Sequence, residues 1–375
     1  MGIKINLERG HLLGALSGLQ SVTGKKGTIA ILSNVLLETE ESSISLTATD
    51  LEIGLKINVP AQILSPGSIT LPAKKILEIV REAASSTIHI EEKDNNWIKI
   101  EEGSSHYNLA GMGADEYPSF PSFTEDGFGA IPSEILADLI EKTIVSVASE
   151  GESQFNLTGA LLEKEEKDGN SFLRMVSSDG HRLSLMERKL PTEISFSLDK
   201  KIIIPKKGLL EIRKIAEAND SVSFNIEEKQ AVFKTEDTLL IIRLLNGDFP
   251  DYRNIINIIN EDNSISVNRI DLMNSMKRMN LFTEDRFNVV NLKIDKNIIT
   301  LFSQSADIGN AKDELSVSYN GEMLSLYFNG RYFIDSLQVL TCENVNMYIS
   351  SDRSPCFIKS SEEEGFLSVI MPMKL

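Results

Sequence analysis

Asp179, His181 and Arg182, inside the run SSDGHRLS, are the residues of this chain best suited to chemistry. They could be drawn as an acid, a base and an anion clamp, with serines beside them as nucleophiles. The surrounding sequence does not develop that reading. Only four histidines exist, His11, His89, His106 and His181, and no nucleophile elbow or metal-ligand pair accompanies the last of them. Asp-Gly is also a common turn dipeptide. The Gly111-Met112-Gly113 run resembles the start of a phosphate loop, but it lies at a strand end with no helix after it. Zinc, calcium and P-loop patterns are absent. Cys342 and Cys356 flank an expected hairpin, where reduced, buried thiols are the reading. The chain is therefore expected to be no enzyme and to need no cofactor or metal.

The elements that would position these residues recur three times, with a period of roughly 125 residues. Each unit opens on an amphipathic helix, read from His11, Glu134 and Arg269. The apolar stripes are Leu12/Leu16/Leu19, Leu136/Ile140/Ile144 and Leu272/Met276/Met279. A strand-like run follows: IAILSNVLLETE, FNLTGALLEKEE or FNVVNLKIDKN. A small-polar turn comes next, at TATDLEIG, SSDGHRLS and SQSADIGN, and after it a second helix. That helix reads LPAKKILEIVREA, IPKKGLLEIRKIAE and FNGRYFIDSLQVL, two of the three with proline at the entrance. Paired strands close each unit, and Pro118, Pro250 and Pro372 sit just past them. The domains are read as 1–128, 129–255 and 256–375. The order helix, strands, helix, strands also hints at a doubled half-motif.

Composition fits a soluble globular protein, with 25% charged and 41% hydrophobic residues. MGIKINLERG lacks the apolar region of a signal peptide, and no run approaches the length of a membrane span, so a cytoplasmic protein is expected. The net charge of −17 argues against nucleic acid. Its distribution argues otherwise. Acidic residues gather on the expected hairpins and linkers, at Glu91, Glu92, Glu101, Glu102, Glu163, Glu165, Glu166 and Glu362 to Glu364. Basic residues gather on the helices: Lys74, Lys75, Arg81, Lys206, Lys207, Arg213, Lys214, Lys277, Arg278 and Arg331. These are either the solvated faces of amphipathic helices or a recurring surface for phosphates.

The ordered set TATDLEIG, SSDGHRLS, GDFPDYRNII, YNGEMLSLYFNGRYFIDSL and VIMPMKL resembles, over the whole chain, the bacterial DNA polymerase III beta subunit family, the replication sliding clamps. The resemblance implies an α+β fold: three repeated clamp domains, each with two helices packed on antiparallel sheets, and a head-to-tail homodimer closing a six-domain ring. Geometry favours the dimer independently. A domain of this size is about 36 Å across; six in a ring leave an opening of about 36 Å and three only about 6 Å, whereas duplex DNA needs more than about 16 Å.

By the same resemblance, double-stranded DNA would be encircled without sequence preference, and would lie near Lys26, Lys74, Gln154, Phe155 and Lys207. Asn156 after Phe155 departs from the aromatic or basic residues frequent at such sites. The clamp loader, the DNA polymerase III catalytic subunit, other polymerases and repair proteins would dock short linear motifs in one pocket. Its matching residues are Leu157, Ser178, Gly180, His181, Arg182, Leu183, Pro250, Asn254, Ile255, Val369, Ile370, Met371, Pro372, Met373 and Lys374. Methionines and branched aliphatics suit an adaptable apolar surface. Asn254, Asn257 and Lys374 depart from the usual arginine, proline and arginine. Tyr107 and Leu109 would meet Leu281 and Phe282 across the dimer interface, or pack within their own chain. Two other classes remain open on residues alone: a repeat-built enzyme using SSDGHR, and a scaffold unrelated to DNA.

Overall fold

The computed structural model describes residues 2–24, 29–151, 155–191, 198, 200–262, 264–283 and 288–374. The first repeat contains β1 (Lys4–Glu8), α1 (Arg9–Leu19), β2 (Asn34–Thr39), β3 (Ser43–Thr49), β4 (Ile53–Ser65), β5 (Ser68–Pro72), α2 (Ala73–Glu82), β6 (Thr87–Glu92), β7 (Trp97–Glu102) and β8 (Ser105–Ala110). The second contains β9 (Gly129–Pro132), α3 (Ser133–Thr143), β10 (Gly159–Lys167), β11 (Asn170–Ser178), β12 (Arg182–Lys189), β13 (Ile202–Pro205), α4 (Lys206–Ala218), β14 (Ser221–Ile226), β15 (Gln230–Lys234) and β16 (Thr238–Arg243). A single turn, α5 (Arg253–Ile256), precedes the third. That repeat contains β17 (Ser264–Asn268), α6 (Arg269–Asn280), β18 (Val289–Asp295), β19 (Ile298–Ser305), β20 (Gly309–Ser316), β21 (Leu324–Asn329), α7 (Gly330–Gln338), β22 (Asn344–Tyr348), β23 (Cys356–Lys359) and β24 (Phe366–Ile370).

Every repeat is thus the half-motif β-α-β-β-β written twice, and the halves exchange their first strands. In the first repeat β5 pairs β2, while β1 pairs β6, giving the half-sheets β5-β2-β3-β4 and β8-β7-β6-β1. The second repeat forms β13-β10-β11-β12 and β16-β15-β14-β9; the third forms β21-β18-β19-β20 and β24-β23-β22-β17. All pairings are antiparallel, as two-residue and slightly longer hairpin connections permit. Half-sheets of successive repeats then fuse edge to edge. Ile53 to Ile57 of β4 pair Ile242 to Thr238 of β16, and Arg182 to Met186 of β12 pair Ile370 to Phe366 of β24. The chain accordingly divides into two compact bodies, Met1–Pro132 with Ala218–Arg243 and Ser133–Glu217 with Leu244–Leu375.

The second helix of each repeat starts two residues later than its sequence suggests, whereas the first helices start at Arg9, Ser133 and Arg269, at or just before the expected residues. Leu71-Pro72, Ile204-Pro205 and Phe328-Asn329 end β5, β13 and β21, so each proline completes a strand that its missing N–H does not weaken at that position. Two strands also separate each small-polar turn from the second helix, where the sequence reading had none. The apolar stripes are buried as spaced, with Leu12, Leu16, Leu19, Leu136, Ile140, Leu272, Met276 and Met279 in the cores. Only Ile144 falls outside its helix, half-buried in a following tight turn. Arg9 and Arg269 begin the first helices of their repeats and donate to the last carbonyls of the second helix or the loop after it. Arg9 reaches Val80 and Arg81, and Arg269 reaches Leu337 and Cys342.

Three carboxylates expected on an acidic surface are buried instead. Glu102 accepts the N–H groups of Ala84 and Ser85, Glu163 joins a network described below, and Glu363 meets Lys142. Each replaces lost water with dedicated donors. Cys342 and Cys356 are buried and free, and burial pushes the Cys356 thiol up.

Lys142 and Glu363 tie α3 to the loop between β23 and β24. The ammonium stands 3.1 Å from the carboxylate and donates to the Val339 carbonyl, while Thr341 donates to Glu363 through N–H and hydroxyl, both at 2.7 Å. Burial raises the carboxyl, but the Thr341 and Lys142 donors outweigh it and hold Glu363 below the ordinary 4.5. A lowered carboxyl contributes stability above its unfolded pKa and loses it as pH falls toward the folded one. Glu363→Gln should therefore destabilise the protein by about 3–5 kcal/mol at pH 7 by stranding the Lys142 charge. Thermal melts between pH 7 and pH 4 check it: wild type should lose stability below about 4.5 more steeply than the variant.

Candidate partner-docking site and DNA-facing helices

The SSDGHR run is the turn joining β11 to β12. Asp179 Oδ1 accepts the N–H groups of His181 and Arg182 at 2.9 and 3.0 Å, and Oδ2 lies 3.0 Å from Arg182 Nε. Ser178 Oγ accepts from Gly180 N and donates to the Arg182 carbonyl. The first repeat builds the same turn from different letters: Asp50 accepts from Glu52 and Ile53, while Thr49 accepts from Leu51 and donates to Ile53. Gly180 takes φ +89, a left-handed conformation that the exposed Leu51 adopts at φ +74 in its copy. The acid is thus a turn builder. Arg182 is held by Asp179 and by Asp335 at 2.7 Å and lies 4.4 Å from the Tyr332 ring centre. The exposed His181 ring makes no hydrogen bond to a described residue. Acid, base and clamp do not converge on a reacting atom.

The turn does bring several of the expected pocket residues together. Leu183 and Val369 pair across β12 and β24 and pack with Leu161, Val176, Ile203, Phe357 and Tyr252 in one apolar cluster, against which Ile255 leans. Met371 continues β24, its N–H donating to the His181 carbonyl, and is exposed; Pro372 and Met373 are half-buried and Lys374 is exposed. Pro250 and Asn254 lie exposed on the segment over the cluster, with Asn254 Nδ2 donating to Asp251. Leu157 is buried and its carbonyl accepts from Ala148 N. Ile370 alternates to the opposite, helix-facing side, where it is fully buried, so it offers a partner no surface. A cavity of about 280 Å³ opens under the same segment, lined by Leu161, Lys201, Ile203 and Gly247 to Arg253; of the expected residues it includes Pro250.

That segment is anchored by a network the sequence reading missed. Tyr252 donates to Glu163 and accepts from Arg174 at 2.8 Å; Arg174 grips Glu187, and Arg253 and Lys201 approach Glu163 at 3.0 Å. Burial and the neighbouring Glu163 push the Tyr252 hydroxyl up. Burial opposes ionisation of Glu163, but donors from Tyr252 and Lys201 win and hold it below its usual value. Tyr117 and Tyr252, each within two residues of a proline that sets the period, are the available signal.

Of the residues expected near DNA, Lys74 is exposed on α2 and Lys207 is half-buried in the first turn of α4. Lys26 and Gln154 lie outside the described residues, as does the Phe155 side chain. Several helical bases carry their own counter-charge: Lys75 with Glu78, Arg213 with Glu217, Lys214 with Glu211 and Arg278 with Asp313. Lys74, Lys277 and Arg331 make no ion pair among the described residues. Tyr107 and Leu109 are half-buried on β8, an edge strand. Leu281 is 70% exposed at the end of α6, beside the half-buried Phe282.

Three copies of a twofold β-α-β-β-β motif, with no catalytic group assembled among the described residues, define a repeat-built fold of the clamp class. Family models for the N-terminal, central and C-terminal domains of the DNA polymerase III beta subunit match residues 3–121, 130–251 and 259–374. The chain belongs to that family: it is a DNA sliding clamp, a non-catalytic processivity factor accessory to DNA polymerase III. It is 30% identical over 375 residues to the beta sliding clamp of Haemophilus influenzae and 28% over 378 to that of Escherichia coli, each covering all of both chains. Among solved structures, the Bartonella birtlesii clamp bound to griselimycin has a TM-score of 0.93 at 26% identity and the Bacillus subtilis clamp 0.91 at 28%, again over the whole of both chains. No helix among the described residues is long and apolar enough to cross a membrane.

Tyr252→Phe should cost about 1–3 kcal/mol by leaving Glu163 and Arg174 each one partner short. Urea unfolding measures the loss. Hydrogen exchange at the amides of Asp251 to Ile256 should accelerate more than exchange in β1 or β6.

Proposed function

We propose that two copies of this chain close head to tail into a ring of six domains, bounded near 1–128, 129–255 and 256–375, that encircles duplex DNA and slides without ATP. The reading rests on one observation: of three equivalent strand junctions, the chain satisfies two. Strands β4, β12 and β20 begin at Ile53, Arg182 and Gly309; Ile53 pairs Ile242 and Arg182 pairs Ile370. Ile242 and Ile370 face Ala231 and Cys356 in their hairpins, as Leu109 faces Ile98. The third junction would therefore set Leu109 of one protomer opposite Gly309 of the other, and Tyr107 opposite Ala311. A Cβ on Gly309 would lie 3.9 Å from the Phe282 ring, so the partner subunit's Leu109 and Tyr107 would meet Phe282 and the exposed Leu281. Unpaired, the β8 and β20 edges would be open templates for association with other chains.

In this ring Lys74 and Lys207 face the duplex, and their contacts to phosphate carry no sequence information. The clamp loader, the polymerase and repair proteins dock short motifs on the surface formed by Leu157, the Ser178 to Leu183 turn, Pro250, Asn254, Ile255 and the Met371 to Lys374 tail, with Val369 as its floor. Cytoplasmic location follows from the substrate.

The protein should sediment at about twice 41.6 kDa. Leu109→Asp, placing a charge in the junction, should give the 41.6 kDa monomer with its melting transition retained. Wild type loaded by a clamp loader onto nicked circular DNA should stay bound through gel filtration and be released when the circle is cut. Retention on the linear product would sink the topological reading.

A further inference from the structure

The outer faces of the first two repeats are each covered by the chain that follows them, and the third repeat has the same seat with no cover among the described residues. In the first, Met112 exchanges backbone hydrogen bonds with Thr70 of β5, and the strap beyond it lays Tyr117 over Leu36, its hydroxyl reaching the Thr47 carbonyl. In the second, Leu245 N donates to the Ile203 carbonyl of β13 and the strap lays Tyr252 over Leu161 and Val176. In the third, Met373 N donates to the Tyr327 carbonyl of β21. The strand registers make the rows equivalent: Thr47-Leu36-Thr70, Val176-Leu161-Ile203 and Phe302-Asn291-Tyr327.

All six residues of the first two rows are buried. Phe302 and Tyr327 are 36% and 39% exposed, and no strap among the described residues reaches them. The two rings flank Asn291 on the intervening strand, two strand spacings apart, or about 9–10 Å. That is room for an aromatic side chain between them.

We infer that Phe302, Asn291 and Tyr327 form a docking seat for an extended, acidic segment of a partner protein that carries an aromatic residue. The two resident straps state the chemistry. One carries Asp115 and Glu116 before Tyr117, the other Asp248 and Asp251 before Tyr252, each with a proline. Charge agrees: Lys293 beside the row and Lys374 beyond Met373 are exposed and make no ion pair among the described residues, although Lys312 is shared with Glu314. The seat is also continuous with the proposed motif surface, because Met373 joins both. The occupant is therefore the sequence flanking a docked motif, an assignment that rests on the clamp reading; the seat itself does not.

A fluorescein-labelled peptide of this chain's own residues 245–254, LNGDFPDYRN, added to the full-length dimer, tests the seat by anisotropy. Saturable binding with half-saturation below about 1 mM is expected. Phe302→Ser with Tyr327→Ser should weaken it at least about tenfold, as should replacing the peptide's tyrosine by alanine. Both protein substitutions are at exposed sites, so an unchanged melting transition certifies the fold. Met371→Ala, in the motif surface, should leave peptide binding intact. Binding lost in Met371→Ala but kept in the double variant would overturn the inference, as would no binding. Binding only to the Leu109→Asp monomer would mean that a second copy covers the row, and would overturn it too. Retention of wild type on circular DNA is scored separately, so a failed ring and a failed seat give different results.

Discussion

Each repeat presents strand edges to its neighbours whose backbone N–H and C=O groups need partners, and the rest of the structure depends on how those edges are paired. Burying such groups unmet is costly, and leaving them open invites association. The chain meets the demand by fusing the edge of one repeat to that of the next, in one register: Ile53 to Ile242 and Arg182 to Ile370. Because side chains alternate along a strand, this register decides which residues face the helices and which face outward. Ser184 and Ser368 are thereby placed inward, where they hydrogen-bond Ser146 and Ser336, and Leu183 and Val369 outward, where they build the apolar cluster.

An outward apolar face must then be covered, and the linkers do that. Their anchoring differs in cost. Tyr117 needs only two carbonyls, whereas Tyr252 draws in a charged network of Glu163, Arg174, Glu187, Arg253 and Lys201. A buried set of that kind adds little net stability but penalises any arrangement that separates its members. It fixes the segment carrying Pro250, Asn254 and Ile255 over strands β10 to β12. The proposed motif surface would thus draw part of its residues from a segment held in place for structural reasons, which would lower the ordering cost of binding.

The repeat was legible because helical periodicity survives divergence: Leu12/Leu16/Leu19 and Leu272/Met276/Met279 share spacing while sharing little identity. The turn was legible as a location, though its reason was not. Thr49-Asp50-Leu51 and Ser178-Asp179-Gly180 make the same hydrogen bonds from different letters, so a reader comparing letters sees the histidine as the anomaly rather than the aspartate as the rule. What stayed hidden was long-range. Nothing near Glu163 tells that Tyr252 will neutralise its burial, and the exchange of first strands between half-motifs leaves no local trace. Ile370 matches the family's pocket motif along with its neighbours, and only strand alternation separates its side of the sheet from that of Val369.

The charge distribution now has a physical reading that a count of lysines misses. Helical bases such as Lys75, Arg213, Lys214 and Arg278 sit within 3 Å of an acid on the same helix or an adjoining strand. Pairing of this kind adds little to stability, because exposed ion pairs are worth less than about 1 kcal/mol. Its consequence for DNA is larger. A paired base neutralises less phosphate, releases fewer counterions and flattens the dependence of binding on salt. For a protein that holds DNA by contacts this would be a defect. A clamp that holds DNA by closure needs the opposite: a field strong enough to centre the duplex, and no contact worth keeping. In the proposed ring Lys74, Lys277 and Arg331, which make no ion pair among the described residues, would supply the field and the paired bases would limit the grip, so that motion along the duplex would meet no deep minimum while escape would still require opening a β-sheet junction.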